Sequence, residues 1–402
     1  MKIASTLGLN IVTTTIPPEE RILAVDNYIT LFEKFIGIID WKLLQASTIK
    51  LNTDFKIRSF YTHHHLASMI YFHICQHDGL RHLNQSTHDN LAGIIPSISL
   101  ATLSNHNNNR DYKVFVPVME TLIKTALQTL TKDERLAKFG TTKMIDSTTI
   151  SMCLTFFDWA EFRSTKAGIK MHTSLDGATG VPDRIIFSNA KCHDRNKMDE
   201  LMTDKGTIYI CDKGYVDYKK FDSYTSKGIH FISRLKDNAK ITTVEELPIT
   251  FSNEKDGLLP KESKIIFDKK VRLGSEYINL TKHSYRIIKI IDPTGKELTF
   301  VTNVMQFASE EIAWLYKRRW DIELFFKWIK QHCKMKKLIG HSENAVRLQM
   351  ITGIITYLLF RLTWNELPRL KSLIVLKRKI ESFLLKLVPT NQTYGQILLS
   401  SA

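Results

Sequence analysis

The spacing of apolar residues changes character twice along the chain. From about residue 21 to 135, apolar positions recur every three to four residues, as in ILAVDNYITLFEKFIGIIDWKLL and VFVPVMETLIKTAL, and predict helices. Between these two runs, SISLATLSNHNNNRD reads as a serine-started helix followed by a polar asparagine loop; it also suits a small helical DNA-reading unit. From about 140 the runs shorten and alternate. KMIDSTTI, GIKMHTSLD, DRIIFSNA, TIYICD and IHFISRL, bounded by Gly, Asp and Asn, predict strands, with helices at DELMTDK and VDYKKFDSYTSKG. This is the pattern of a mixed α/β layer. Residues 240–305 alternate again in SKIIFDKKVRL, SYRIIKII and ELTFVTNV, with the turn DPTGKE between the last two, and predict a β-rich insertion. SEEIAWLYKRRWDIELFFKWIKQHCKMKK then predicts one long helix, opened by Ser309 as its cap with Glu310 and Glu311 in the first turn. The tail is helical, apolar and basic.

The predicted organisation is a loose leader at 1–20, a helical N-terminal domain at 21–135 with possible DNA binding, a core formed by 136–239 and 306–345, the insertion at 240–305, and a helical C-terminal region at 346–402. With 402 residues, 43% hydrophobic and 24% charged, the chain can bury a core and is not of disordered composition. Its most apolar run, MITGIITYLLFRL, falls short of the ~20 residues of a membrane span, so a buried helix and no membrane partner are expected. The start, MKIASTLGLNIVTTTIPPEE, lacks the apolar stretch of a signal peptide. Cysteines at 75, 153, 192, 211 and 333 are too scattered for a disulfide scaffold and suit a reducing cytosol. Lys and Arg total 56 against 41 Asp and Glu, a formal charge of +15, which points to a polyanionic partner, nucleic acid first.

Three acidic residues carry candidate chemistry. Asp146 follows the run KMI and Asp212 follows TIYIC, so both are expected at strand ends, where α/β sheets place their sites. Either one alone is more simply a turn former or a helix cap. Glu323 lies within the long predicted helix. At 100° per residue, Tyr316, Arg319, Glu323 and Lys330 fall within about 60° of arc, and apolar residues occupy the remaining faces. Such a stripe points into a site or along a solvent seam; the plainer alternative is a solvated stripe with Glu323 paired to Lys327. Asp321 lies about 160° away from Glu323 and cannot share its site. Carboxylates from separate elements, with Arg and Lys beside them, suit metal-assisted phosphoryl transfer.

MIDSTTI, IYICDKGY and the Y-x2-R-x3-E-x6-K pattern of YKRRWDIELFFKWIK resemble bacterial insertion-sequence transposases of the D-D-E class, in the subgroup named for its Tyr-Arg-Glu-Lys pattern. The similarity runs from about 136 to 345 and includes FRSTKAGIKMHTSLD, KCHDRN, SRLKDNAK and SENAVRLQ; residues 28–125 are more loosely similar to a helical domain found in front of this core. The resemblance implies a ribonuclease-H-like α/β fold, a mixed sheet with flanking helices and a β-rich insertion. It implies that Asp146, Asp212 and Glu323 are catalytic and bind Mg2+, with Mn2+ substituting, and that Tyr316, Arg319 and Lys330 contact DNA. The implied activity is metal-dependent DNA strand cleavage and strand transfer at the ends of an insertion sequence. The implied partners are double-stranded element ends and target DNA. A homodimer assembled on DNA in the bacterial cytoplasm, associated with the nucleoid, is the expected form. A nuclease that cuts without joining, and a non-catalytic DNA-binding derivative, are the alternatives.

One departure stands out. Relatives that pass through a DNA hairpin hold a flipped base with a tryptophan of the insertion, and here the six tryptophans are at 41, 159, 314, 320, 328 and 364. Tyr277, Tyr285 or Phe267 are the aromatic alternatives. The insertion is expected to be a compact β unit whose deletion leaves the core folded, and basic helices at 317–337 and 369–386 are expected to hold phosphates. His73 and His77, at i,i+4 spacing beside Cys75, suggest a zinc pair that no further ligand completes, so buried core residues are the simpler reading. His193-Asp194 resembles a pair recurring in the family, without an assigned chemistry.

Overall fold

The computed structural model describes residues 27–163, 166–252 and 258–399. The expected leader at 1–20 lies outside them. The chain divides into two compact units, one of residues 1–130 with 328–402 and one of residues 131–327. The division differs from the boundaries expected at 135 and 345: its second boundary falls inside the glutamate-bearing helix.

The first unit is helical. A short strand β1 (Tyr28–Thr30) leads into α1 (Leu31–Ile36), followed by α2 (Trp41–Leu51), α3 (Thr62–Cys75), α4 (Leu80–Asn90), α5 (Leu100–Asn109) and α6 (Val116–Thr129). Thr30 and Glu33 cap α1 reciprocally: the Glu33 N–H donates to Thr30 Oγ1 at 3.1 Å, and the Thr30 N–H to Glu33 Oε2 at 2.8 Å. Helix α5 runs through the asparagines that predicted a loop. Ser99 Oγ caps it by accepting the Thr102 N–H at 3.1 Å, and Leu103 and Asn107 are buried on its inner face. Packing thus overrides the weak helix propensity of asparagine.

His64, His65 and His73 of α3 are core residues. His73 is fully buried, with Nδ1 2.6 Å from the Cys333 carbonyl oxygen and Nε2 3.0 Å from Thr352 Oγ1. Burial pushes its pKa down to about 3, so the ring is neutral.

The second unit carries β2 (Thr142–Cys153), β3 (Glu161–Arg163), β4 (Lys166–Asp176), β5 (Pro182–Asn189), α7 (Met198–Leu201), β6 (Ile208–Cys211), α8 (Tyr218–Ser226), β7 (His230–Arg234), β8 (Ile241–Leu247), β9 (Lys264–Leu273), β10 (Tyr285–Ile291), β11 (Glu297–Thr302), α9 (Ser309–Lys317) and most of α10 (Trp320–His332). Its strands form one mixed ten-stranded sheet in the order β3-β4-β2-β6-β7-β11-β10-β9-β8, with β5 also paired to β4. Strand β2 is antiparallel to β4 and parallel to β6, and β6 is parallel to β7. Alternation sends Ile145, Tyr209, Cys211 and Phe231 to one face, where they pack on Met198 and Leu201 of α7 and Phe221 and Tyr224 of α8.

The expected separable insertion is instead the other half of this sheet. β11 pairs antiparallel with β7, Phe300 opposite Arg234 and Thr302 opposite Ile232, and β10, β9 and β8 follow outward. Val271, Leu273, Tyr285 and Ile287 belong to the same apolar core as Phe221 and Phe231. Deleting 240–305 would strip that core and expose the β7 edge, so loss of the fold, not an intact core, is the expected outcome.

A buried ion pair ties the added strands to α9. Arg286 Nε donates to both Asp268 oxygens at 3.0 Å, Arg286 Nη1 donates to the Phe307 carbonyl at 2.6 Å, and Ser309 Oγ donates to Asp268 Oδ2 at 2.7 Å. Ser309 is therefore not the cap that the sequence predicts. Ala308 holds that position, its N–H donating to Glu311 Oε2 at 2.8 Å, because the Ser309 hydroxyl is turned inward to the ion pair. The long predicted helix is also broken. α9 ends at Lys317 and α10 begins at Trp320, while the N–H groups of Arg318 and Arg319 reach back three residues to the Leu315 and Tyr316 carbonyls, both at 3.0 Å.

The chain closes the helical unit with α11 (Glu343–Asn365), α12 (Leu373–Phe383), β12 (Leu387–Pro389) antiparallel to β1, and α13 (Tyr394–Leu399). α11 extends the predicted 13-residue run to 23 residues. It is long and apolar enough to cross a membrane by length and composition, and 83% of its apolar window is buried inside the protein. Its threonines bond within the helix: Thr352 Oγ1 donates to Leu348 O at 2.9 Å and Thr356 Oγ1 to Thr352 O at 2.8 Å.

Candidate active site

In the parallel β2–β6 register Ile145 lies beside Cys211. Asp146 and Asp212 each come one residue later on neighbouring strands, so they share a face, opposite to the one holding Ile145 and Cys211. Asp212 follows the end of β6 as the sequence predicts. Asp146 does not end its strand: β2 continues to Cys153, paired with β4. What opens the space at Asp146 is the end of β6, a property of its neighbour.

The break between α9 and α10 delivers three further side chains to this face. Tyr316 packs its ring on Phe300 at 4.5 Å, and its hydroxyl is 3.4 Å from Asp212 Oδ1. Arg319 reaches Asp146 Oδ2 at 3.4 Å through Nη1 and Glu323 Oε1 at 2.5 Å through Nη2. Asp146, Asp212, Tyr316, Arg319 and Glu323 are thus brought together. The partner of Glu323 is Arg319, not Lys327 as in the solvated-stripe alternative. Asp321 points elsewhere and pairs with Arg318 at 2.9 Å. Lys330 lies seven residues beyond Glu323 on α10, in the helical unit, where burial and the charge of Lys336 lower its pKa.

Burial dominates the electrostatics. Asp146 is pushed up to about 6 by desolvation; the Ser147 N–H and Arg319 oppose this, and the charges of Asp212 and Glu323 add to it. Burial also raises the Tyr316 phenol, which stays protonated at neutral pH. Burial works against the Arg319 charge, but Glu323, Tyr316 and Asp146 outweigh it and raise its pKa. Two carboxylates, Asp146 and Glu323, share the Arg319 guanidinium, while Asp212 meets the Tyr316 hydroxyl. Among the described residues no three His, Cys, Asp or Glu side chains stand close enough to hold a metal ion. At Asp146 and Glu323 the Arg319 guanidinium bonds to both carboxylates.

The aromatic alternatives in the added strands separate cleanly. Tyr285 is fully buried, its hydroxyl donating to Asp222 at 2.8 Å, and Phe267 packs against the sheet core. Tyr277 is 95% exposed. The basic tail helix is less available to phosphates than its composition predicts. Lys377 is buried, with Nζ 2.9 Å from both Ile74 O and Glu381, and Lys379 Nζ donates to Leu398 O at 2.7 Å. Lys334 and Lys337 both pair with Asp78, at 3.4 and 3.2 Å.

One feature escaped the sequence, and a second, Asp194, was marked there only as part of the pair His193-Asp194 without a chemistry. A cleft beside the site is lined by Arg135, Lys317, Arg318, Trp314 and Trp320, the last 55% exposed; the run KRRW was its only sequence signal. Behind the site, Asp194 sits among Ser147, Lys170 and His172.

Residues 138–359, more than half of the chain, match the transposase DDE domain family. The chain belongs to this family. It is a transposase, an enzyme of metal-dependent DNA cleavage and transfer. A probable transposase for insertion sequence element IS5377 of Geobacillus stearothermophilus is 25% identical over 272 residues, 68% of this chain and 69% of that protein. The protein y4zB of Sinorhizobium fredii, which carries a transposase name, is 32% identical over 223 residues, 55% of this chain and 60% of that protein. A piggyBac transposase synaptic complex with hairpin DNA aligns with a TM-score of 0.40 and 11% identity, over 92% of this chain and 84% of that one.

Burial of Asp146 gives this transposase a testable pH signature in the absence of metal. The folded-state pKa of about 6 lies above an unfolded value of about 3.9, so ionisation of Asp146 destabilises the fold. The penalty is absent below pH ~4, develops through pH ~6 and is complete above it. Asp146→Asn removes it and should stabilise the metal-free protein by about 2–3 kcal/mol at pH 8 and by little at pH 4. Denaturant unfolding of both proteins in chelator at the two pH values checks this. Equal stability at pH 8 would refute it.

Proposed function

We propose that this transposase cuts the ends of an insertion sequence and joins the freed 3′ ends to target DNA, with Asp146, Asp212 and Glu323 as the carboxylates that hold divalent metal. The observation that carries the proposal is the meeting of Arg319 with both Asp146 and Glu323, with Tyr316 set on Asp212. The donor set is all carboxylate oxygen, the chemistry preferred by Mg2+ and Mn2+ over softer metals. Bound metal would stabilise charge on the phosphoryl oxygens in both steps.

The chain's own residues supply the rest. Arg319, now shared between two carboxylates, would exchange them for the scissile phosphate, which its forked donors suit. Tyr316 would offer a neutral hydroxyl as a hydrogen-bond donor to DNA. Lys330 completes the Tyr-Arg-Glu-Lys pattern and is assigned to the phosphate backbone from that pattern. The cations of the cleft, with the exposed Trp320, suit a strand lying beside the site, and Tyr277 suits base stacking. A ribonuclease-H-like core is supported by the antiparallel set β5-β4-β2 continued by parallel β6 and β7. A homodimer assembled on two element ends in the bacterial cytoplasm, associated with the nucleoid, fits the need to process both ends.

The test uses labelled element-end DNA with Mg2+, Mn2+ or chelator, followed by target DNA. Metal-dependent cleavage and joined products, both lost in Asp212→Asn, are the expected results. Cleavage without joining would leave a nuclease, and binding without cleavage a DNA-binding derivative.

A further inference from the structure

We infer that Asp194 is a positioning residue for Asp146, acting through Ser147 from the opposite face of β2. The inference rests on the catalytic reading of Asp146. Asp194 follows His193 and opens a short turn, Asp194–Lys197, whose cap position is held by His193 without a side-chain cap bond. Among the described residues its hydrogen-bond and ion-pair partners lie on β2 and β4. Ser147 Oγ donates to Asp194 Oδ1 at 2.6 Å, Lys170 Nζ is 3.1 Å away and His172 Nδ1 3.6 Å away.

The register explains this cradle. Ser147 pairs with His172 and Thr149 with Lys170, so these side chains alternate onto one face while Asp146 takes the other. His172 is fully buried, and its Nε2 is held 2.8 Å from Ser188 Oγ. Lys170 Nζ also donates to the Cys192 carbonyl at 2.8 Å, which fixes the approach to the turn. A polar cluster of this kind, partly removed from water, is not needed to make a turn. Its output is Ser147, whose own N–H donates to Asp146 Oδ1 at 2.8 Å. The side chain of Ser147 is anchored behind the sheet while its backbone holds the carboxylate in front.

Loss of the anchor should let the Asp146 carboxylate wander, and a misplacement near 1 Å costs about 10²-fold in rate. Asp194→Ala and Ser147→Ala should each lower kcat for end cleavage by about 10- to 100-fold with little change in KM for DNA. Each should also weaken Mn2+ binding several-fold, read by electron paramagnetic resonance without DNA. The Asp194→Ala/Ser147→Ala double variant should lose no more than the worse single, because both act on one link. Asp194→Asn, which keeps an acceptor for Ser147, should recover most of the Mn2+ affinity. A purely structural Asp194 would lower thermal stability and leave Mn2+ affinity and kcat unchanged. Parental Mn2+ binding and kcat in Ser147→Ala, or additive losses in the double variant, would overturn the inference. Ser147→Ala removes only a hydroxyl and carries the test should Asp194→Ala not fold. Asp146→Asn is run beside them. If it binds Mn2+ and cleaves normally, the catalytic reading itself falls; if it fails while Asp194→Ala and Ser147→Ala behave as the parent, only the positioning role falls.

Discussion

Glu323→Gln is expected to reduce metal-dependent cleavage of element-end DNA by several orders of magnitude, with DNA binding retained or slightly tightened. The substitution keeps the size of the side chain and removes one of the three carboxylates. The amide oxygen can still accept from Arg319 but carries no charge, so the guanidinium is held less tightly and becomes more available to a phosphate. Asp321→Asn makes the same chemical change two residues away, at a carboxylate paired with Arg318. It should leave cleavage within a few-fold of the parent. A solvated surface stripe predicts that both substitutions are mild, each within about 0.5 kcal/mol in stability, with no loss of catalysis. Rates of labelled end cleavage by the three purified proteins decide between them; parental activity in Glu323→Gln would remove Glu323 from the site.

The second large effect is on stability. Asp268→Ala should destabilise the protein by about 3–5 kcal/mol, because it leaves the Arg286 guanidinium buried without its counter-charge. The loss also reaches α9. Ser309 Oγ donates to the same carboxylate, and α9 presents Tyr316 to Asp212. Asp268→Leu combined with Arg286→Met should recover much of that stability, since a buried pair exchanged for apolar groups is often neutral or better. End cleavage should recover less than stability, because Ser309 Oγ still lacks its carboxylate acceptor and is held by Thr250 alone. Denaturant midpoints for the single and double variants provide the measurement. A single-variant loss below about 1 kcal/mol would show that the pair contributes no more than a surface ion pair does.

The extent of what the sequence encodes follows from the range of the interactions involved. Short apolar or alternating runs bounded by Gly, Asp and Asn located β2, β4, β5, β6 and β7; β6 is buried at every position, so its signal is a short continuous apolar run and not alternation. The helical spacing of Tyr316, Arg319 and Glu323 kept them on one stripe, and they meet the same carboxylate face even though the helix breaks between them. Asp212 was legible for the same local reason, as the first polar residue after a buried run.

Everything that depends on a distant partner was decided by the tertiary structure. ITTVEEL hides β8, since an exposed edge strand has no face to bury and so no pattern to show. The alternation within 240–305 announces strands but not which edge they extend, and only the open side of β7 settles that they join the core sheet. Ser309 has the residue type of a cap, yet its hydroxyl is taken by Asp268, 41 positions away in sequence. Lys377 and Lys379 have the composition of a phosphate-binding face, yet they bond carbonyl oxygens at Ile74 and Leu398. Asp194 has the residue type of a turn former, yet its carboxylate bonds behind Asp146. Periodicity records how much of each segment is buried. Which donor meets which acceptor is chosen by packing, where a buried polar group must take whichever partner the fold brings within about 3 Å.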